Sequence, residues 1–126
     1  MARRLRAGIL GYGRMGRAFV TALEQSELWE VSAVYDISSA ARQLAHQSVP
    51  NAAVYEAPEP IFADPSIDVV GLFTLADARP QQIHRALACG KHVLAEKPLA
   101  ADVTTEWQLV REIEAKRSFR SGQPFQ

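Results

Sequence analysis

Leu5-Arg6-Ala7-Gly8-Ile9-Leu10-Gly11-Tyr12-Gly13-Arg14-Met15-Gly16 is the stretch whose reading decides the fold. A strand-length apolar run enters a Gly-x-Gly-x-x-Gly loop. Met15, Ala18, Phe19, Ala22 and Leu23 then recur at helical spacing and predict one apolar helix face. Strand, glycine loop and helix in this order are what a phosphate cradle requires. The first glycine makes the tight turn, the second lets the backbone approach a pyrophosphate, and the third lets the helix pack closely on the strand. The pyrophosphate would sit on free N–H groups at the helix N-terminus, where the macrodipole favours negative charge. Gly11, Tyr12, Gly13, Arg14, Met15 and Gly16 are therefore candidate cofactor-binding residues. Arg14 either steadies the pyrophosphate or points into solvent. A tight turn that binds nothing is the competing reading of the loop.

Outward from this loop, Val31 to Tyr35 reads as a second strand stopped by Asp36. Asp36 follows Gly16 by about 20 residues, the distance at which an acid meets the ribose hydroxyls of a dinucleotide. A carboxylate there repels a 2′-phosphate, and no basic residue follows until Arg42, so NAD is expected in preference to NADP. The other reading of Asp36 is a helix cap. Ser38 and Ser39 are cap candidates for a helix through about His46, and a short strand is expected at Ala52–Tyr55. Asp68 to Phe73 is the strongest strand, apolar on both faces as a buried parallel strand would be. Pro80 suits a first helical turn, Ile83, Ala86 and Leu87 form a stripe, and Gly90 is a stop. His92-Val93-Leu94-Ala95 is another strand, and Asp102 caps a helix carrying Val103, Trp107, Val110 and Ile113. Ser118 to Gln126 reads as a last strand or a frayed tail. The order βαβ(α)βαβα predicts a doubly wound, mainly parallel α/β sheet with helices on both faces, and a single domain over 1–126.

The chain has 126 residues, with 14 basic and 14 acidic side chains. Zero net charge speaks against nucleic acid or an anionic membrane as main partner, since both need a basic face. The arginines at 3, 4 and 6, and Lys116, Arg117 and Arg120, read as solvated ends. Arg3-Arg4 opens no secretory signal, because no apolar run of roughly 7–15 residues follows. No stretch approaches the ~18 apolar residues of a membrane span. A lone cysteine, Cys89, excludes an intrachain disulfide and fits a reducing compartment, so the cytoplasm is expected. Cys89 is expected to be buried where a helix ends. His46, His84 and His92 are scattered without ligand spacing, and no metal is expected.

A second segment carries more information. Ala86-Leu87-Ala88-Cys89-Gly90-Lys91-His92-Val93-Leu94-Ala95-Glu96-Lys97-Pro98-Leu99-Ala100, joined to the glycine loop, resembles the signature of the Gfo/Idh/MocA oxidoreductases, over about residues 5 to 115. The resemblance implies a Rossmann-type, nicotinamide-binding domain acting on sugars, polyols or related hydroxy compounds. It matches Gly11, Gly13 and Gly16 to the phosphate loop, Asp36 to the ribose acid and Thr74 to the end of the fourth strand. It matches Glu96-Lys97-Pro98 to the family's EKP, placing Glu96 near the nicotinamide ribose and Lys97 at the reacting centre. The Lys97–Pro98 peptide is implied to be cis. An ammonium at that centre stabilises the alkoxide that develops as hydride leaves an alcohol, which makes Lys97 the candidate catalytic residue; alone, it would read as a surface lysine.

Two departures stand out. The family's Thr-Pro-Asn-x-x-His becomes Thr74-Leu75-Ala76-Asp77-Ala78-Arg79, with Asp77 a possible replacement cap for the next helix. Family members also continue into a second α/β domain that contacts substrate, and that half is expected to be missing from these residues; a small-molecule substrate would then need it supplied. The leading expectation is an incomplete oxidoreductase, able to bind NAD(H) but turning over poorly alone. The alternatives are a stand-alone nucleotide-binding or redox-sensing module and an oligomerisation fragment. A homodimer is expected under each, because a face meant for another domain would otherwise be exposed.

Overall fold

The computed structural model describes residues 3–97 and 100–119. In chain order these form β1 (Leu5–Leu10), α1 (Arg14–Glu24), β2 (Trp29–Tyr35), α2 (Ser39–Ser48), β3 (Ala53–Tyr55), α3 (Glu59–Ala63), β4 (Val69–Leu72), α4 (Arg79–Ala88), β5 (His92–Ala95) and α5 (Val103–Phe119). The strands make one parallel sheet in the order β3-β2-β1-β4-β5. The doubly wound architecture is as expected. The short helix α3 is an addition that the proline-rich composition around it concealed.

Each face of the sheet carries its own core. On one side Leu10, Ala33, Val70 and Leu72 meet Ile61 and Phe62 of α3, Ile83 and Ala86 of α4 and Leu109 of α5. On the other, Ala7, Ile9, Val31 and Val34 meet Val20 and Leu23 of α1 and Ala45 of α2. Each fully buried Val, Leu or Ile contributes about 1.5–3 kcal/mol of transfer free energy. A register shift after Ala7 pairs Val31 and then Ala33 with consecutive β1 residues. Ser32, passed over by this shift, donates its hydroxyl to the Ala7 carbonyl (3.2 Å). The irregularity lets Val31 and Val34 share a face that strict alternation would deny them.

Capping follows the sequence closely. The Ser38 hydroxyl accepts from the Ala41 N–H (3.2 Å) at the start of α2. Asp102 accepts from the N–H and hydroxyl of Thr105 (2.8 and 2.9 Å) at the start of α5, which holds its carboxyl below the usual carboxylate range. Pro80 stands in the first turn of α4, and Gly90 ends that helix with φ +72°.

Several expectations are corrected. The buried face of α1 is Gly16, Val20 and Leu23, with Phe19 half-buried, whereas Met15, Ala18 and Ala22 are exposed. The close approach of Gly16 to the Gly11 backbone sets the rotation of the helix, so that Met15, Ala18 and Ala22 point outward. On α5, Leu109 is buried against α4, and Val103, Trp107 and Ile113 face solvent. Cys89 is exposed. The N-cap of α4 is Ala78 without a side-chain bond, so Asp77 does not cap it. Of the expected last strand, residues 118 and 119 belong to α5 and the remainder lies outside the described residues. The implied cis Lys97–Pro98 peptide also lies outside them.

Because α1 and α2 cover the β3-β2-β1 half of their face, the β4-β5 half carries no helix among the described residues. An apolar trough of about 390 Å³ opens there, lined by Leu5, Trp29, Val69, Gly71, His92 and Leu94 among others. No described helix is long and apolar enough to cross a membrane.

Candidate functional site

Tyr35, Leu10, Leu72 and Ala95 form one aligned row across β2, β1, β4 and β5. The next residue on each strand is Asp36, Gly11, Phe73 and Glu96. The parallel sheet thus brings four sequence-distant segments to one carboxyl edge. At about 4.8 Å per strand, Asp36 and Glu96 stand on the order of 14 Å apart along it. β1 and β4 are neighbours there although β2 and β3 intervene in sequence, which makes a topological switch point.

The three loop glycines divide into two kinds. Gly11 has φ +97°, and a Cβ there would lie 2.5 Å from the Phe73 carbonyl oxygen. A Cβ on Gly16 would overlap the Gly11 carbonyl oxygen. Both are required by the fold itself. Gly13 has extended backbone (φ −82°, ψ −158°), and a Cβ there would meet nothing within 4 Å. Its lack of a side chain serves no internal contact and leaves open space at the start of α1. That helix has no side-chain cap and no acid in its first turn, which leaves its leading N–H groups without a side-chain acceptor. Arg14 and Met15 are exposed beside it.

Asp36 ties β2 to the loop. Its Oδ2 accepts from the Tyr12 N–H (2.7 Å) and its Oδ1 from the Ser38 N–H (2.8 Å). A carboxylate offers about four acceptor sites, so two remain for a ligand's hydroxyls. Arg42 folds back to donate to the Asp36 and Ile37 carbonyls (2.9 and 3.0 Å). The Tyr12 side chain is buried in the α1-side core, leaving only its backbone to the loop. Ile37, Met15 and Leu75 stand exposed around the edge, at 84%, 52% and 77%. Such apolar side chains next to polar anchors suit the flat rings of a nucleotide. The alternation pattern gave no hint of Ile37 or Leu75.

At the other end, Thr74 Oγ1 donates to Gln82 Oε1 (2.5 Å). Glu96 is half-buried and Lys97 exposed. Arg79, the residue in the histidine position, is 6% exposed and joins the two segments. It donates to the Thr74 carbonyl from Nε and Nη2 (3.0 and 2.6 Å) and to the Glu96 carbonyl from Nη1 (3.1 Å). Its Nη2 also lies 3.8 Å from Glu96 Oε2. Sequence reasoning missed this residue, since a charged side chain in a helical first turn reads as solvated. Lys91 was missed similarly. Buried at the opposite end of β5, its ammonium donates to the Asp64 and Ile67 carbonyls (2.6 and 3.0 Å) and anchors the turn before β4. The lysine of Gly-Lys-His-Val is structural here. His84 is paired with Glu112 (2.7 Å) between α4 and α5, away from this edge.

Comparison with known proteins agrees with this fold. The family model described as "Oxidoreductase family, NAD-binding Rossmann fold" (GFO_IDH_MocA) matches residues 5–120. An inositol 2-dehydrogenase of Rhodococcus jostii is 32% identical over 108 residues, covering 85% of this chain and 30% of that protein. An inositol 2-dehydrogenase/D-chiro-inositol 3-dehydrogenase of Lacticaseibacillus casei is 35% identical over 98 residues, or 76% and 28% of the two chains. The crystal structure of a myo-inositol dehydrogenase from Lactobacillus casei, in complex with NAD(H) and myo-inositol, superposes with a TM-score of 0.81 at 31% identity. It covers 87% of this chain and 33% of that one. The chain therefore spans about 30% of the length of these curated relatives.

Proposed function

The chain belongs to the Gfo/Idh/MocA oxidoreductase family, and on that premise we propose that residues 1–126 are the dinucleotide-binding domain of an NAD-preferring dehydrogenase. Its substrate would be a sugar, polyol or related hydroxy compound, contacted through a further domain. The open space at Gly13, next to an uncapped helix start, carries the reading. A turn that bound nothing would have no use for that glycine, while a pyrophosphate needs both the space and the N–H groups.

The residues fit the cofactor in order along the edge. Asp36 would receive the adenosine ribose hydroxyls on its two remaining acceptor sites, with Ile37 beside the base. Gly11, Tyr12, Gly13, Arg14, Met15 and Gly16 would hold the pyrophosphate. Thr74, Glu96 and Lys97 would border the nicotinamide half. When bound, a nicotinamide supplies a hydride acceptor or donor. Lys97, on an exposed turn after β5, would hold the substrate oxygen, stabilise its developing negative charge and orient it. The preference for NAD rests on Asp36, whose carboxylate would repel a 2′-phosphate, and on Arg42, whose guanidinium is engaged with two backbone carbonyls. Self-association belongs to the same reading, since the trough and Trp107 present apolar surface to water. Sedimentation of the purified chain as a monomer at tens of micromolar would remove that part.

Titration with NADH and with NADPH, followed by nucleotide fluorescence, tests the central reading. Saturable binding with NADH the tighter ligand is expected. Absence of binding to both would overturn it.

A further inference from the structure

Past the Leu72–Ala95 row the ladder between β4 and β5 thins to a long contact of 3.5 Å from the Glu96 N–H to the Leu72 carbonyl. Beyond it the two segments that would border the nicotinamide are joined by a side chain. Arg79 places one buried, planar guanidinium across the Thr74 and Glu96 carbonyls, with the Glu96 carboxylate at its edge. Carbonyls and a carboxylate offset the desolvation of this cation, but a buried ion pair is seldom more stabilising than well-packed apolar side chains, so stability alone does not explain the arrangement. An apolar side chain at the start of α4 would fill the same volume without it. What an apolar residue cannot do is fix the separation and direction of two strand tips. The fork geometry of arginine suits that task, since separate N–H groups reach different carbonyls from one rigid plane.

We propose that Arg79 is a positioning residue for the nicotinamide half of the site. By clamping the Thr74 and Glu96 backbones, it aims Glu96 and the adjoining Lys97 over the crevice while leaving the Gly11–Asp36 half untouched. The inference rests on the dinucleotide reading above and deepens it. Arg79 would touch neither cofactor nor substrate. Its effect is transmitted through residues that do.

The test compares two ligands that share the adenosine and pyrophosphate and differ in the nicotinamide. NADH and ADP-ribose are titrated calorimetrically into the 126-residue chain and into Arg79→Gln and Arg79→Lys. In the parent, NADH should bind more tightly than ADP-ribose. In both variants that advantage should fall by about tenfold, one contact's worth of discrimination, and the blue shift of bound NADH emission should shrink. ADP-ribose affinity should stay within about twofold. The lysine variant keeps the buried charge but gathers its donors on one nitrogen, without the rigid planar spread with which three nitrogens reach the Thr74 and Glu96 carbonyls, so it carries the test if the glutamine variant fails to fold. A preserved NADH advantage in the lysine variant would overturn the proposal, as would equal loss of both ligands, which marks a merely structural arginine. A parent chain that binds neither ligand would instead overturn the dinucleotide reading.

Discussion

Replacing Gly13 by alanine separates the folding role of the glycine loop from its ligand role. The backbone at Gly13 is extended, and the added Cβ meets no atom within 4 Å. Folding therefore loses nothing, while the unfolded chain loses freedom, and a gain of about 0.4–1 kcal/mol is expected. For a domain of this size that raises the thermal midpoint by roughly 1–5 °C. The same Cβ projects into the space proposed for the pyrophosphate, so NADH affinity should fall at least about tenfold, or ~1.4 kcal/mol. Gly16→Ala is the control. Its Cβ would overlap the Gly11 carbonyl oxygen, a clash of backbone with side chain that no rotamer change relieves. Overpacking of this kind costs about 1–3 kcal/mol, and the midpoint should drop. Circular dichroism melts and a fluorescence titration on both variants give the answer. Unchanged NADH affinity in Gly13→Ala would reduce the loop to a turn, and a destabilised Gly13→Ala would refute the packing argument itself.

Asp36→Ala should weaken NADH and narrow its advantage over NADPH. It also strands the part-buried Tyr12 N–H at a cost of about 1–3 kcal/mol, so the readout is the ratio of the two affinities, and an unchanged ratio in parallel titrations would remove Asp36 from the ribose role. Lys97→Ala should leave NADH affinity within about twofold, worth ~0.4 kcal/mol. A large loss in the same titration would reassign Lys97 from chemistry to binding. At the opposite end of the sheet, the Arg3 guanidinium and the Arg6 N–H hold the Asp68 carboxyl down at about 2. Its unfolded value is about 3.9, so this stabilisation is complete above that pH and disappears as pH falls through about 2. Solvent around the exposed Arg3 limits it to about 1 kcal/mol. Urea unfolding of wild type and Asp68→Asn should converge over that window, and a constant difference would sink the assignment.

The parts of the molecule legible in the sequence are those where one residue type has one geometric use. Ser38 and Asp102 cap, Pro80 starts a helix, Gly90 stops one, and β5 has its expected ends. The glycine loop and Asp36 meet because parallel strands bring consecutive βα units to one edge. Helix rotation was less legible. Met15 and Ala18 fit an apolar stripe as well as Val20 does, and only the contact of Gly16 with Gly11 decides which side faces the sheet. Trp107 belongs to the apolar stripe read for α5, yet it is exposed and Leu109 is the α5 residue buried with α4. Arg79 and Lys91 were illegible for a different reason. A buried cation is identified by the carbonyls around it, and those come from Thr74, Glu96, Asp64 and Ile67, on other segments.

The half-covered sheet has a consequence in time. Among the described residues, β1 is hydrogen-bonded on both edges and lies between packed helices, whereas β5 has β4 alone beside it and the trough against one face. Amide hydrogen exchange should then require nearly global opening at Ile9 and Leu10 but only local opening at Val93 and Leu94. The two halves of a bound dinucleotide would rest on strands of unequal lifetime. Warming should loosen the nicotinamide end first, while the adenosine end is still held.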